Sequence, residues 1–307
     1  MEQTTRVEGA VGVRELEQRR RAIYSVEEAR YVRRKAMGAF MVGLLSSLTI
    51  IACLILFLIV GYIAVNGVGG LNEAFFTQTP KPLGQTGGGI AQAILGSLEM
   101  LLVGAIIAIP VGVGTGIYMA EYGNGHINGV IRFSLEVLAS LPSIVIGVFV
   151  WALVVRTLGS FSGLAGAIAL AFIMIPIIGR SVEEILRLVP NALREAGLAL
   201  GVPRWRVIMQ VVIPTVLPGI FTGVVLGVAR AAGETAPLLL TALGNDFINF
   251  NLGQPMAAMP LAIYNYASSP YPDWHQKAWT ATLVLVLVVA LFSLLVRVTT
   301  RKLRYVR

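Results

Sequence analysis

Cysteine, histidine and charged residues are all scarce in this sequence. Cys53 is the only cysteine, so no disulfide can form within the chain. His126 and His275 are the only histidines and lie far apart in sequence, so we expect no histidine-based metal site. Charged residues make up 13% of the 307 residues, whereas soluble domains carry about 25%. This scarcity argues against a water-facing globular protein.

Sequence signatures of catalysis are missing as well. No lysine follows a glycine anywhere in the chain, so a Walker A loop for nucleotide phosphates is absent. The glycines of segment 112–116 lie within an apolar run, where they favour close helix packing. No Ser–His–Asp or Cys–His combination is visible, so we assign no catalytic residues and do not expect an enzyme.

Long apolar runs dominate the chain instead. Hydrophobic residues make up 56% of it, and the mean hydropathy is +0.78. A helix needs roughly 20 apolar residues to cross a bilayer, and six segments meet or approach that length. They are residues 39–65, 91–119, 131–155, 162–179, 207–240 and 278–297. We therefore predict an all-α, polytopic membrane protein with six transmembrane helices.

Two of these segments depart from the usual length. Segment 162–179 is short, and segment 207–240 is long enough to run past the membrane or to bend. Proline interrupts helix hydrogen bonding, so Pro214, Pro218 and Pro237 are the places where the long segment can bend.

The net charge of +8 follows membrane topology and does not indicate nucleic acid, because the basic residues cluster at the ends of apolar runs. With six spans, the basic tail 1–37, Arg132, the loop 180–206 and the C-terminal tail share one side. The other side holds only Lys81, Arg156 and Lys277. The positive-inside rule therefore predicts that both termini are cytoplasmic.

The spans of the predicted domain 38–307 differ in glycine content. Spans one and six are rich in Leu, Val, Ile and Phe, which indicates helices at the lipid boundary. Spans two to five carry glycines, and small residues let helix backbones approach closely, so these four should form the packed core. In span five, Gly219, Gly223 and Gly227 form a stripe at helical spacing that predicts such a contact.

The loop between spans four and five carries the most specific pattern. Its members are Glu195, Ala196, Gly197, Gly201, Val211, Ile213 and Pro214. Their spacing resembles the EAA signature of bacterial ABC importer permeases, with Gly197 in place of Ala and Ile213 in place of Leu. Residues 191–200 are predicted to form a short helix, because Pro190 suits its start and Gly201 its end.

Span five also carries two charges, Arg230 and Glu234, spaced so that they share a helix face. A charge at middle to outer membrane depth costs roughly 2.5–3.5 kcal/mol, so its default interpretation is functional. A guanidinium matches two oxygens of an oxyanion. Arg230, Glu234 and the adjacent Thr235 are therefore candidates for an anion pathway that should face other helices and not lipid. The alternative is a buried ion pair that only locks helix packing.

Span five also indicates which group of importer permeases the chain resembles. Residues 230–239, RAAGETAPLL, resemble the RxxGETAPLL segment of the PstA family of phosphate importer permeases. Residues 117–122, 142–147, 183–190 and 254–274 resemble the same family, and the likeness runs over about 38–300.

This resemblance implies a type I ABC importer permease (MetI-like) fold in the bacterial inner membrane. It also implies that the chain is one permease subunit of an ATP-driven importer of inorganic phosphate. Such a subunit forms half of the transmembrane pathway, which opens alternately to the two sides of the membrane. The implied partners are a second permease, PstC, two copies of the ATPase PstB, and the phosphate-binding protein PstS. The helix at 191–200 would dock on the ATPase, which would hold ATP and Mg²⁺, so this chain itself needs no cofactor.

Two other classes of function stay open on the residues alone. A permease for another oxyanion, such as molybdate or sulfate, or for another solute would share the EAA-like loop. A membrane enzyme or a channel would share the apolar spans. The absence of a catalytic set of residues argues against an enzyme, and the EAA-like loop argues against a channel.

Overall fold

The computed structural model describes residues 2–82, 85, 87–123 and 125–304, except for the side chains of 2–30, 32, 297 and 299–304. Helices joined by short loops make up this part of the chain, and no β-strand occurs in it. The helices are α1 Glu2–Gly67, α2 Glu73–Thr77, α3 Ala91–Ile117, α4 His126–Ser140, α5 Ser143–Val150, α6 Arg156–Leu158, α7 Gly163–Arg187, α8 Asn191–Ala199, α9 Arg204–Val207, α10 Ile213–Ala232, α11 Ala236–Thr241, α12 Met259–Ala267 and α13 Pro272–Arg304.

The chain divides into two compact units, Met1–Tyr62 and Ile63–Arg307. The first unit belongs to α1, whose described side chains from residue 33 to residue 60 are exposed. The sequence predicts a boundary between a polar tail and a membrane domain at residue 37. The helix continues through that position without a break.

The second unit is built around α7, which packs in parallel with α3. The two backbones approach closely because glycines of α3 face α7: a Cβ at Gly104 would lie 2.8 Å from the carbonyl oxygen of Ala167. Helix α10 packs antiparallel against the same helix. A Cβ at Gly219, Gly223 or Gly227 would lie 2.6–2.8 Å from side-chain atoms of Ile185, Ser181 or Ile178 of α7. All three glycines of the predicted stripe therefore lie in the α10–α7 contact.

This unit has two distinct ends. One end, called here the arginine-rich end, holds the C-terminus of α7, the turn 118–122 after α3, and helices α8 and α9. The opposite end holds the start of α7, where Gly163 donates to the carbonyl of Gln254 at 2.9 Å, together with α2 and α12.

Five segments are long and apolar enough to cross a membrane, and a sixth is obtained if the bent pair α4–α5 counts as one span. The five are Arg33–Gly70, Ala91–Tyr122, Gly163–Arg187, Arg204–Ala232 and Pro272–Val296. The architecture is thus the predicted all-α membrane fold.

The predicted third span, 131–155, is broken in the structure. Helix α4 ends at Ser140, and α5 starts at Ser143 after a bend of 107°. Pro142 explains the break, since it has no amide hydrogen and its ring forces Leu141 into extended backbone, with ψ at 137°.

Spans four and five also differ from their predicted limits. The short segment 162–179 is part of a longer helix, α7, because the charged residues beyond Gly179 form ion pairs and so tolerate the helical extension. The long segment 207–240 is interrupted at Gly233–Thr235, between α10 and α11. Pro214 lies in the first turn of α10, Pro218 lies inside that helix, and Pro237 lies in the first turn of α11.

Candidate functional site

The loop at the arginine-rich end folds into two short helices. Helix α8 starts after Pro190 and ends at Ala199, one residue before the predicted limit. Gly201 ends it with a φ of +75°, a conformation that glycine adopts without the steric penalty of a Cβ. Pro203 then starts α9. The first four positions that resemble the EAA signature, Glu195, Ala196, Gly197 and Gly201, thus form a helix and the residue that ends it.

The outer surface of α8 is open. Glu195 and Ala196 are exposed, and apolar side chains lie exposed around them, with Leu200 at 84% and Trp205 at 56% exposure. Helix α8 therefore presents one carboxylate among uncovered apolar groups, a surface suited to contact with another protein.

The inner surface of α8 is tied to the bundle by charge. Arg194 donates from Nε and Nη2 to the carboxylate of Glu121, with the shortest contact at 2.6 Å. Glu121 lies in the π-helical turn 118–122 that follows α3, and its side chain is only 2% exposed. The hydrogen bond to Glu121 raises the pKa of Arg194 above its ordinary value, against the opposing effect of burial. The guanidinium of Arg194 therefore keeps its positive charge beside the buried carboxylate.

A second arginine reaches the same turn from α9. Arg204 donates from Nη2 to the backbone carbonyl of Glu121, and its guanidinium lies 5.3 Å from the centroid of the Tyr122 ring. We call Glu121, Arg194 and Arg204 the Glu121 cluster. It attaches both helices of the loop to the end of α3.

Further ion pairs connect α4 with α7 near the same end. The buried carboxylate of Glu183 contacts Arg132 of α4 and, at 2.8 Å, Arg187 of its own helix. Arg180 of α7 contacts Glu136 of α4 at 2.6 Å. These pairs hold the amphipathic α4 across the core helix α7.

Pro214 marks the return of the chain into the core. It lies in the first turn of α10, directly after the π-helical turn Ile208–Val212. Because proline lacks an amide hydrogen, the residues before it lose a regular helical partner, and a widened turn is one way to accommodate that loss. Pro214 therefore shapes the junction between the loop and α10.

The predicted anion-pathway residues lie at the break between α10 and α11. Arg230 Nη2 is 3.4 Å from Glu234 Oε1, so the predicted ion pair is present. The Glu234 side chain is 10% exposed, whereas that of Arg230 is 66% exposed and is not covered by the described chain. Thr235 follows directly and precedes α11. Glu234 thus lies in the loop after α10 rather than within the helix, and it holds one side of an arginine whose other donors are free to contact a ligand or a neighbouring subunit.

A cavity of about 560 Å³ opens at the opposite end, between the loops around residues 80 and 246 and helix α12. Gln92 and Tyr266 lie buried in its wall, and in the described part of the chain the Oε1 atom of Gln92 has no hydrogen-bond partner. Burial, with a further contribution from the charge of Asp246, raises the pKa of Tyr266 to about 12. Its hydroxyl therefore stays protonated in the physiological range.

The predicted residues thus form two separate groups. Glu195, Ala196, Gly197, Gly201 and Pro214 lie in or beside the loop, whereas Arg230, Glu234 and Thr235 lie toward the other end of α10. An ideal helix rises about 24 Å over the 16 residues from Pro214 to Arg230. Helical periodicity in the sequence does not point to the Glu121–Arg194 pair, because these two residues are 73 positions apart.

Comparison with known proteins adds the family context. The model of the family "binding-protein-dependent transport system inner membrane component" matches residues 112–305. The chain is 45% identical over 232 residues to the phosphate transport system permease protein PstA of Xylella fastidiosa, covering 75% of this chain and 80% of that protein. It is 42% identical over 273 residues to PstA of Haemophilus influenzae, covering 88% of this chain and 96% of that protein.

A solved structure shares the fold. An inward-facing structure of the MetNI methionine ABC transporter is similar with a TM-score of 0.59 and 19% identity, covering 70% of this chain and 97% of the matched chain. This likeness supports the MetI-like permease fold of the helical core.

Proposed function

Because the chain belongs to the family of binding-protein-dependent transport system inner membrane components, and within it to the group of the PstA permeases, we propose that it is a permease subunit of an ATP-driven importer of inorganic phosphate. The observation that carries the proposal is the 42% identity that extends over 96% of a phosphate transport permease. Members of this family are membrane subunits without enzymatic activity of their own, so the chain is a transporter component.

The open surface of α8 is the proposed docking site for the ATPase subunit, PstB. Glu195 supplies a charge there, and the exposed Leu198 and Leu200 supply apolar contacts, so a groove with complementary groups can receive the helix. Gly201 ends the helix within this surface. ATP and Mg²⁺ would be held by that partner, and this chain would bind neither.

Arg230, Glu234 and Thr235 are the proposed contacts for phosphate in passage. The guanidinium presents planar donors that match two phosphate oxygens, and the neighbouring carboxylate can accept a hydrogen bond from a protonated phosphate oxygen. An exposed arginine within a transmembrane segment is costly when it faces lipid, so it should face a water-filled path or a second permease subunit, PstC. This chain would then line half of the pathway.

The arginine-rich end would face the cytoplasm, with both termini on that side, as the distribution of Lys and Arg supports. The opposite end, with its cavity and the exposed Phe247 and Phe250, would face outward and receive the phosphate-binding protein, PstS. The chain would alternate access between the two sides as the ATPase dimer opens and closes.

Uptake into vesicles tests this function. The complete complex in proteoliposomes, supplied with ATP, binding protein and labelled phosphate, should accumulate phosphate, and excess sulfate or molybdate should compete poorly. Preferential accumulation of sulfate or molybdate would transfer the proposal to another oxyanion. Accumulation of none of the three anions would contradict an oxyanion importer altogether.

A further inference from the structure

We propose that the Glu121 cluster is the mechanical link through which α8 and α9 move the ends of α3 and α7, an inference that rests on the proposed docking of the ATPase on α8. Glu121, Arg194 and Arg204 act here as positioning residues. None of the three is among the proposed phosphate contacts or the proposed docking residues of α8, and they transmit a displacement between the two.

Arg194 connects three segments of the chain. Its Nε and Nη2 bind the Glu121 carboxylate, its Nη2 also donates to the carbonyl of Leu186 at 3.0 Å, and its Nη1 donates to the carbonyl of Val189 at 2.7 Å. Leu186 lies in the last turn of α7, and Val189 in the turn that precedes α8. One side chain of α8 therefore holds the ends of both α3 and α7.

Arg204 connects the other half of the loop to the same place. It donates to the backbone carbonyl of Glu121 and stacks on Tyr122, the last residue of the turn after α3. Because Arg194 belongs to α8 and Arg204 to α9, the two helices are attached to one turn at two points. Neither helix can tilt away from α3 without breaking a contact with Glu121.

Because the Glu121–Arg194 pair is buried, the contact between the two side chains is costly to break. The carboxylate of Glu121 is almost inaccessible to water, so separation from Arg194 would leave an unpaired buried charge, which is strongly destabilising. The free energy of the protein is therefore lower when the loop moves together with the ends of α3 and α7 than when Glu121 and Arg194 separate. A pull on α8 is then converted into a rigid-body displacement of α3 and α7.

The packing of the core continues this link toward the pathway. Helices α3 and α7 are in backbone contact at Gly104 and Gly116, so a displacement of their ends is carried along both helices. Helix α7 in turn contacts α10 through the three glycines of the stripe, and α10 carries Arg230. A continuous set of packed groups thus joins the docking surface to the proposed phosphate contacts.

Substitution within the assembled importer tests the link. Glu121→Gln removes the buried charge, and Arg194→Lys keeps the charge but loses the planar set of donors that reaches three segments at once. The matched control is Arg156→Gln, which removes one positive charge from an exposed position outside the arginine-rich end. Phosphate uptake and ATP hydrolysis are measured together in proteoliposomes that contain the complete complex.

We expect both cluster variants to retain the ATPase subunit and to hydrolyse ATP, while the phosphate transported per ATP falls by about tenfold, the scale set by losing charge-assisted hydrogen bonds. The control should keep the wild-type ratio. A contact that only stabilises the fold would lower the amount of complex without changing this ratio. Unchanged ratios in both cluster variants would overturn the inference and leave the proposed function intact, whereas a wild-type complex without phosphate uptake contradicts the proposed function itself.

Hydrogen exchange on the unmodified complex gives a readout that does not depend on how the variants fold. When ATP closes the ATPase dimer, the amides of segments 118–122 and 192–199 should change protection together, because the cluster joins them. A change confined to 192–199 would show that α8 moves without the end of α3, which is incompatible with the link.

Discussion

Gly197 of α8 lies directly against Val207 of α9: a Cβ at Gly197 would be 2.8 Å from Cγ2 of Val207. This contact explains why the chain has glycine where the EAA signature has its second alanine. The β-branched side chain of Val207 is buried and stiff, so it occupies the space that an alanine methyl group would need.

Gly197→Ala should therefore destabilise the loop by about 1–3 kcal/mol, the usual range for overpacking, even though alanine favours helices by up to about 1 kcal/mol. Loss of bound ATPase on purification, together with a lower thermal unfolding midpoint of the complex, would measure this effect. The double variant Gly197→Ala/Val207→Ala should lose less stability than the sum of the two single variants, because the shorter side chain at 207 removes the clash. Gly129→Ala, in α4 where a Cβ meets no atom within 4 Å, is the control and should not destabilise the complex.

Gly201→Val should disrupt the backbone conformation that ends α8. The φ of +75° disfavours any residue with a Cβ by roughly 1–2 kcal/mol, and a β-branched residue more. The chain after α8 should then leave its path toward α9, so ATP hydrolysis would continue without matching phosphate uptake. Gly114→Ala, at a helical position with open space around it, is the comparison, and equal coupling in both variants would argue against a role for the backbone conformation at Gly201.

Glu195→Lys tests the docking surface without touching the fold, because the side chain of Glu195 is exposed and forms no ion pair among the described residues. We expect reduced binding of the ATPase subunit in a pull-down and a proportional loss of uptake. Glu184→Lys makes the same charge reversal at an exposed position of α7. The amount of ATPase subunit that this variant binds should stay closer to the wild-type amount. If both reversals weaken binding equally, the effect is one of general charge and not of the α8 surface.

Arg230→Gln should leave assembly intact and lower phosphate uptake by about tenfold or more, since a hydrogen bond to a charged group contributes roughly 1.5–3 kcal/mol. The exposure of the Arg230 side chain makes a purely structural role a poor explanation of such a loss. Arg156→Gln, an exposed arginine after α5, is the control. Wild-type uptake by a normally assembled Arg230→Gln complex would exclude a role in the pathway.

Tyr266 should titrate near pH 12 in the folded protein and near pH 10 when unfolded, because burial favours its neutral form. The folded state then binds more protons than the unfolded state between these values, so the stability due to Tyr266 is present below about pH 10 and is lost as the pH rises toward 12. The difference in absorbance at 295 nm between wild type and Tyr266→Phe locates the titration. A midpoint near 10 in the folded complex would show that the tyrosine is solvated.

Local patterns predicted most of the elements, because hydropathy, proline and glycine act within a few residues of chain. The helix after Pro190 and its end before Gly201 follow from such punctuation, as does the spacing of Gly219, Gly223 and Gly227 that lie against α7. The break at Leu141 and Pro142 does not follow from hydropathy, because the apolar run continues through it, although a residue before proline favours extended backbone. The helical extension of α7 to Arg187 was missed for the opposite reason: charged residues ended the apolar run before the helix ended.

Amino-acid order alone is enough to specify a polytopic helical membrane protein with an importer-type loop, since burial of apolar helices and the geometry of short turns are local properties. It could not reveal that Glu121 receives Arg194 from a distant loop, or that Arg230 is left uncovered while Glu234 is buried beside it. Those relationships depend on which helices pack together and at what depth. Long-range electrostatic pairing is decided only when the core of α3, α7 and α10 has closed.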